Sequence, residues 1–271
     1  METMEYLFSY SPMSFNIIAQ VLVLGYGAHL AGLVYFVLIR QEMAPRYRFA
    51  SLLATVVMVT AFMILFRLQN NWVNSFSFDA EANVWQVSDY LFTNGLRYIN
   101  WTITIPALLL QLVAVLDIKN PVRFSAMTIG LAIGMIYTGY LGQFYETTNL
   151  AAFLIWGTIS TLFYLPLLYL VYKEVSAAGS YLPAETKPLM QAILLVFFVA
   201  WTLYPGGYLF PVMLNSEFGS VGRQITFTVA DVSSKVIYGI LISRVAIIRS
   251  RYLSEDAESP TLERVEKGSK S

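Results

Sequence analysis

DVSSKVIYGILI, residues 231–242, sets a lysine, Lys235, one helical turn after an aspartate, Asp231, inside an apolar run of membrane-spanning length. An ammonium at bilayer depth costs roughly 2.5–3.5 kcal/mol on insertion scales, so a lysine there is a functional candidate by default. Two readings of the pair stand side by side. Lys235 is a salt-bridge partner that steadies a helix bundle, or its amine is used covalently, as a Schiff base with a carbonyl compound.

Working outward, apolar runs of about twenty residues or more read as transmembrane helices. Seven are present, at about 14–39, 49–70, 92–116, 122–143, 148–173, 186–213 and 222–250. Open sheet edges cannot face lipid, so an all-α seven-transmembrane-helix bundle follows. The composition agrees: 57% of the 271 residues are hydrophobic and only 13% are charged, far from a soluble average. The first span exceeds the apolar core of a signal peptide, so it is expected to stay as a membrane helix.

Orientation comes from the basic residues. Arg40, Arg46 and Arg48 flank the first connection, Lys119 and Arg123 the third, Lys173 and Lys187 the fifth, and Arg249 and Arg251 follow the last span. The opposite face has little beyond Arg67 and Arg223. The N-terminus is therefore expected outside and the C-terminus in the cytoplasm, in a multi-pass protein of the cell (plasma or inner) membrane. Residues 71–90 are polar and aromatic by turns, and the alternation in NSFSFD (74–79) predicts a small extracellular hairpin or lid. Residues 1–251 form one membrane domain, and the charged, Ser-containing stretch 252–271 reads as a disordered tail.

Several classes fall away. A net charge of zero argues against nucleic acid as a partner. With no cysteine and a single histidine, His29, neither a disulfide framework nor a metal cluster can be assembled. His29 itself reads as a packing or subunit-contact residue. No nucleophile–base pair or phosphate-binding glycine loop speaks for an enzyme.

On the third span, RYINWTITIPALLLQ (97–111), Arg97, Asn100, Trp101, Thr104, Leu108 and Gln111 fall at steps of three or four and share one face. A charge and two amides are costly in lipid, so that face should point into the bundle. Pro106 removes a backbone hydrogen bond, which Thr102 or Thr104 is expected to help replace. On the sixth span WTLYPGGY (201–208) repeats the spacing with Trp201, Tyr204, Pro205 and Tyr208. Taken alone, such an aromatic stripe is ordinary core. Flanking a central lysine from two helices, it suits a flat conjugated ligand.

Seven helices with RYINW and TxP in the third, WTLYP in the sixth and DVSSK in the last, in this order, resemble the microbial rhodopsins over residues 10–250. The resemblance implies all-trans retinal held on Lys235 as a protonated Schiff base. It also implies a retinal pocket of Trp101, Leu108, Met135, Gly139, Ser160, Trp201, Tyr204, Pro205 and Tyr208. Leucine at 108 implies green absorption. Gly157 stands where some relatives carry a bulky aromatic, which implies an opening toward lipid and room for a carotenoid antenna. Homo-oligomers are common in the family.

The same matching bears on transport. Outward proton pumps resembling this chain carry a carboxylate at the position of Asn100 and commonly another at that of Gln111. The Asn100–Thr104–Gln111 set looks like the bacterial chloride-pumping branch. Counting charge near Lys235, Arg97 and the lysine are positive and Asp231 alone is negative, leaving one positive charge. Unit charges 4 Å apart interact by about 4 kcal/mol at an effective dielectric of about 20, enough either to strip the Schiff base of its proton or to draw in an anion. The sequence reading is thus a light-driven inward pump for chloride or another small halide. The anion is expected between the Schiff base, Asn100 and Thr104, with Arg97 at its access path, Asp231 as counterion and Gln111 as a polar step in the cytoplasmic half. For Gln111 a helix–helix hydrogen bond is the competing reading. An anion channel or photosensor on the same scaffold is the alternative function, followed by an outward proton pump using Asp231.

Overall fold

The computed structural model describes residues 3–268, and seven of its helices are long and apolar enough to cross a membrane. Each begins and ends for a local reason. Ser11 caps α1 (Pro12–Ile39) by accepting from the Ser14 amide at 3.2 Å, with Pro12 in the first turn. Helix α2 (Arg48–Asn74) runs four residues further into the polar connection than its apolar pattern suggested. It leads into strands β1 (Phe76–Asp79) and β2 (Val84–Val87), an antiparallel hairpin with Phe76 opposite Val87 and Asp79 opposite Val84. Asp79 Oδ1 accepts the amides of Glu81 and Ala82, and Asn83 takes a positive φ of 53°, which closes the turn. The hairpin read from NSFSFD is thus present.

Helix α3 (Gly95–Val115) holds Pro106, and α4 (Pro121–Gln143) starts on a proline. Asn149 caps α5 (Leu150–Ala178), and α6 (Lys187–Leu214) ends on Asn215 in the left-handed region. The last span comprises α7 (Glu217–Asp231), a π-helical segment (Val232–Ile237) and α8 (Tyr238–Gly268). Lys235 stands inside the π turn. A π turn inside a helix re-aims the side chains next to it, and such turns are frequent at functional sites.

Helix α8 continues to Gly268, where a disordered tail was expected from 252. The end of that stretch, residues 269–271, lies outside the described residues.

Two apolar clusters hold the bundle. The smaller one lies at the N-terminal face, where Trp72 stacks on Phe15 at 5.6 Å and donates its indole N–H to the Phe15 carbonyl at 3.2 Å. Phe15 in turn stacks on Trp85 at 3.8 Å, and Tyr10 pairs with Trp85 through both backbone bonds, so the hairpin is fastened to the N-terminal segment. The larger cluster fills the half nearer the C-terminus with Leu108, Leu112, Val115, Phe197 and Ile242 among others. At that face Arg46 and Arg249 both pair with Asp117, tying α3 to the first connection and to α8.

Candidate functional site

All six residues of the α3 stripe are buried: Arg97, Asn100, Trp101, Thr104, Leu108 and Gln111. The stripe faces the last span, where Gln224, Thr228, Asp231 and Lys235 follow one another at helical spacing and are buried as well. Close approach of α1 behind this span depends on Gly25, where a Cβ would come within 2.7 Å of the Thr228 methyl.

Asp231 is the hub. Its Oδ1 receives Lys235 Nζ in an ion pair, the Trp101 indole N–H at 3.1 Å and the Tyr204 hydroxyl at 2.8 Å. Its Oδ2 receives Arg97 Nη1 at 3.2 Å. Two cations therefore share one carboxylate, as the sequence count required of this layer. Removing one partner from a buried pair is costly, because it leaves a charge in low dielectric. Tyr204 also accepts from Lys235 Nζ at 3.3 Å and meets Ser234 Oγ at 3.0 Å.

One residue before Trp101, and one turn from Arg97 on α3, stands an unsatisfied amide. Asn100 is fully buried, and neither Nδ2 nor Oδ1 has a hydrogen-bond partner among the described residues. Thr104 donates its hydroxyl to the Asn100 carbonyl at 2.8 Å, and Thr102 donates to Tyr98 at 2.7 Å. Neither threonine takes the Thr102 carbonyl that Pro106 leaves free, so the expected compensation is not made there. The reason is local: each hydroxyl bonds the carbonyl four residues before it. Gln111 is buried with both amide atoms unpartnered, so the helix–helix hydrogen bond considered for it is absent among the described residues.

A cavity of about 230 Å³ extends from this hub between α3, α4, α5, α6 and α7. Trp101, Met135, Gly139, Ser160, Trp201, Tyr204, Pro205 and Tyr208 line it, together with Tyr98, Tyr164 and Phe227. Two expected members stand apart from the walls. Leu108 packs beneath Tyr238, whose hydroxyl donates to the Leu108 carbonyl at 2.9 Å. Lys235 is drawn onto Asp231 and meets the cavity only through Tyr204, since an unscreened ion pair outweighs an apolar contact. The arrangement can hold a flat, elongated apolar molecule whose reactive end reaches a primary amine.

The cavity also reaches the lipid-facing surface, because exposed Leu154 and Thr158 line it beside Gly157. Gly157 has a second reason to be glycine: a Cβ there would lie 3.0 Å from the Tyr208 ring. That ring stacks on Phe153 with centroids 4.2 Å apart.

Sequence reading missed an outer layer. Arg223, counted there as a surface cation, is fully buried and pairs with Glu5 at 3.3 Å and with Glu146. Glu5 accepts further from Asn94 Nδ2 and Gln224 Nε2, both at 3.0 Å. Burial works to raise the Glu5 carboxyl, but Arg223 and the Asn94 bond prevail and hold it below the usual carboxylate range. Gln224 Oε1 accepts from Arg97 Nη2 at 2.8 Å, which joins this layer to the hub. The single uncompensated positive charge thus describes the layer around Lys235 and not the whole buried network. Two carboxylates on one arginine return the balance one layer out. The Gln224–Thr228–Asp231–Lys235 spacing was the available signal; nothing in the sequence around Glu5 or Glu146 carried one.

His29 is fully buried, with Nδ1 2.7 Å from the Gly25 carbonyl, which fits the packing role and leaves no surface for a subunit contact. Among the described residues no group of three His, Cys, Asp or Glu could hold a metal ion.

Comparison with known proteins converges on one family. A family model described as bacteriorhodopsin-like protein matches residues 16–249. The green-light absorbing proteorhodopsin of gamma-proteobacterium EBAC31A08 is 21% identical over 82% of this chain and 84% of its own length. Archaerhodopsin-2 of Halobacterium sp. (strain aus-2) is 29% identical over 60% of each chain. Among solved structures, a thermophilic rhodopsin superposes with a TM-score of 0.83 at 26% identity, covering 90% of this chain and 98% of the other. Xanthorhodopsin, described as a light-driven ion pump with dual chromophore, follows at 0.82 and 26%, covering 91% and 98%. With its seven membrane-length helices, a buried lysine in the last and the matched family model spanning nearly all of them, the chain belongs to the bacteriorhodopsin-like family of microbial rhodopsins.

Proposed function

We propose that this protein is a light-driven inward anion pump with chloride as cargo and all-trans retinal as its chromophore. Family membership supports light-driven ion transport in general. The retinal reading is supported by aromatic walls from α3 and α6 that converge on Tyr204 and, through it, on a buried primary amine. When bound to Lys235, retinal supplies a light-driven isomerisation that re-aims a positive charge.

The observation that carries the anion reading is the unpartnered Asn100 amide, one turn from Arg97 on α3, together with a carboxylate already shared by two cations. An amide N–H in low dielectric is a strong donor site for an anion. Thr104 contributes once its hydroxyl turns from the Asn100 carbonyl. Arg97, held between Asp231 and Gln224, forms the access side, and Gln111 offers the next unpartnered amide beyond the centre. Asp231 accepts four donors, which favours a standing carboxylate over a proton acceptor and speaks against the outward proton pump. The lateral opening beside Gly157 suits a carotenoid antenna. Added carotenoid should then appear as its own band in the excitation spectrum of the photocycle.

The test is transport. Cells expressing the protein are illuminated without buffer in NaCl while external pH is recorded. The medium should turn alkaline, more so with a protonophore, and the signal should vanish in sulfate. Acidification abolished by the protonophore would instead establish an outward proton pump. A current that reverses with the anion gradient would establish a channel.

A further inference from the structure

We propose that Arg223 is an outer docking site for a small monovalent anion, occupied at rest by the protein's own Glu146 carboxylate. The inference rests on the anion-transport reading and adds a site to it. Arg223 directs Nη1 at Glu5, Nη2 at Glu146 and at the Tyr208 carbonyl at 3.3 Å, and Nε at the Gly207 carbonyl at 3.4 Å. A guanidinium fork of this kind binds carboxylates and simple anions alike. It is buried with two carboxylates, so one of them can leave without unpairing the guanidinium.

The two carboxylates are held differently. Glu5 has Arg223, Asn94 and Gln224 as partners, and its segment is pinned by the Tyr6 hydroxyl on the Phe92 carbonyl at 2.9 Å and by the Tyr10–Trp85 bridge. Glu146 has Arg223 alone, and its buried Oε2 has no partner among the described residues. It stands in the connection between α4 and α5. Glu146 is therefore the carboxylate that yields.

A second observation points to a ligand. Ser220, fully buried, lies one turn before Arg223 on the same face, and its Oγ meets the Tyr10 hydroxyl but no partner within direct hydrogen-bond distance among the described residues. A serine hydroxyl and a guanidinium N–H are both donors, as an anion requires. Exchanging one carboxylate for one chloride leaves the buried charge unchanged, so the swap avoids the cost of adding an ion. From Arg223 the path continues through Gln224, which bonds Glu5 and Arg97 at once. Two guanidinium groups in series then hand the anion inward to Asn100.

Glu146→Gln removes the competing charge. In purified retinal-bound protein, chloride is mixed at constant ionic strength against sulfate and the colour change is followed in time. Glu146→Gln should speed that change by about tenfold, the scale of local electrostatic steering. Ser220→Ala, which keeps every ionic contact, should slow it severalfold and serves if Glu146→Gln yields no pigment. Chloride-35 NMR line widths on retinal-free protein give a readout independent of the chromophore, with extra broadening expected in Glu146→Gln. Unchanged rates in both variants, or tighter sodium binding in place of chloride broadening, would overturn the outer site. If wild-type colour ignores chloride while the NMR broadening is present, the site near Lys235 fails and the outer site stands.

Discussion

The two halves of the bundle on either side of Lys235 are built from opposite materials. Toward the N-terminal face, polar side chains form a continuous chain from Asp231 through Arg97, Gln224 and Glu5 to Arg223 and Glu146. Toward the C-terminal face, Leu108, Leu112, Val115, Phe197 and Ile242 make an apolar core in which Gln111 is an isolated amide. An ion can be exchanged along the first half by trading one partner for another. In the second half it would have to shed its partners in low dielectric, which costs several kcal/mol. On the proposed function this difference is what a pump needs and a channel does not: access to the centre on one side, and on the other an apolar barrier to be crossed by a driven step.

The largest effect comes from cutting the shared centre. Lys235→Ala should abolish the visible band on addition of retinal while leaving the helical circular dichroism unchanged, because Arg97 still neutralises Asp231. A retained band would mean that the chromophore does not depend on this amine.

Asp231→Asn tests the hub that joins the halves. It leaves two buried cations without a carboxylate and should cost about 3–5 kcal/mol, read as a lower thermal midpoint in detergent. A change well under 1 kcal/mol would mean that the halves are not joined through this residue.

In the polar half, Glu5→Gln should cost about 1–3 kcal/mol by weakening the hydrogen bonds that Glu5 accepts from Arg223, Asn94 and Gln224. Its pH dependence has a definite sign. The Glu5 carboxyl is held below the usual range when folded, so its stabilisation is present above the ordinary carboxylate pKa of about 4.3. It is lost as pH falls through the lower folded value. Wild type should therefore lose stability on acidification over a range in which the variant changes less, as followed by thermal melts from pH 6 to pH 3.

The apolar half gives the smallest stability effect. Gln111→Leu removes two unsatisfied buried atoms and should stabilise the fold by about 1 kcal/mol, since such atoms cost about 1–3 kcal/mol each. Transport should fall severalfold while the colour response to chloride stays unchanged. Unaltered transport would show that Gln111 is no step on the path.

Most of the fold was legible because membrane helices announce themselves by length and hydropathy, and the α3 stripe because an amide or a charge cannot face lipid. The cavity walls were legible through their matched motifs, with Leu108 the exception: it is buried on α3 but is not among the residues that line the cavity. The outer layer was not legible. Glu5 and Glu146 lie in connections without periodicity, and only the folded chain carries them under Arg223. Arg223 itself looked like an interfacial cation because its partners are distant in sequence. The Gly157 opening was readable as a missing side chain, but the ring that leans against it, Tyr208, belongs to α6 and could not be foreseen.

The claim most in need of a direct measurement is that the centre, with two cations on one carboxylate and a free Asn100 amide, takes up a halide. The absorption spectrum of the purified pigment, titrated with chloride at constant pH and ionic strength in sulfate, measures this. A saturable shift of the visible band, lost in Asn100→Asp, is the predicted result. An identical spectrum from zero to molar chloride would contradict it.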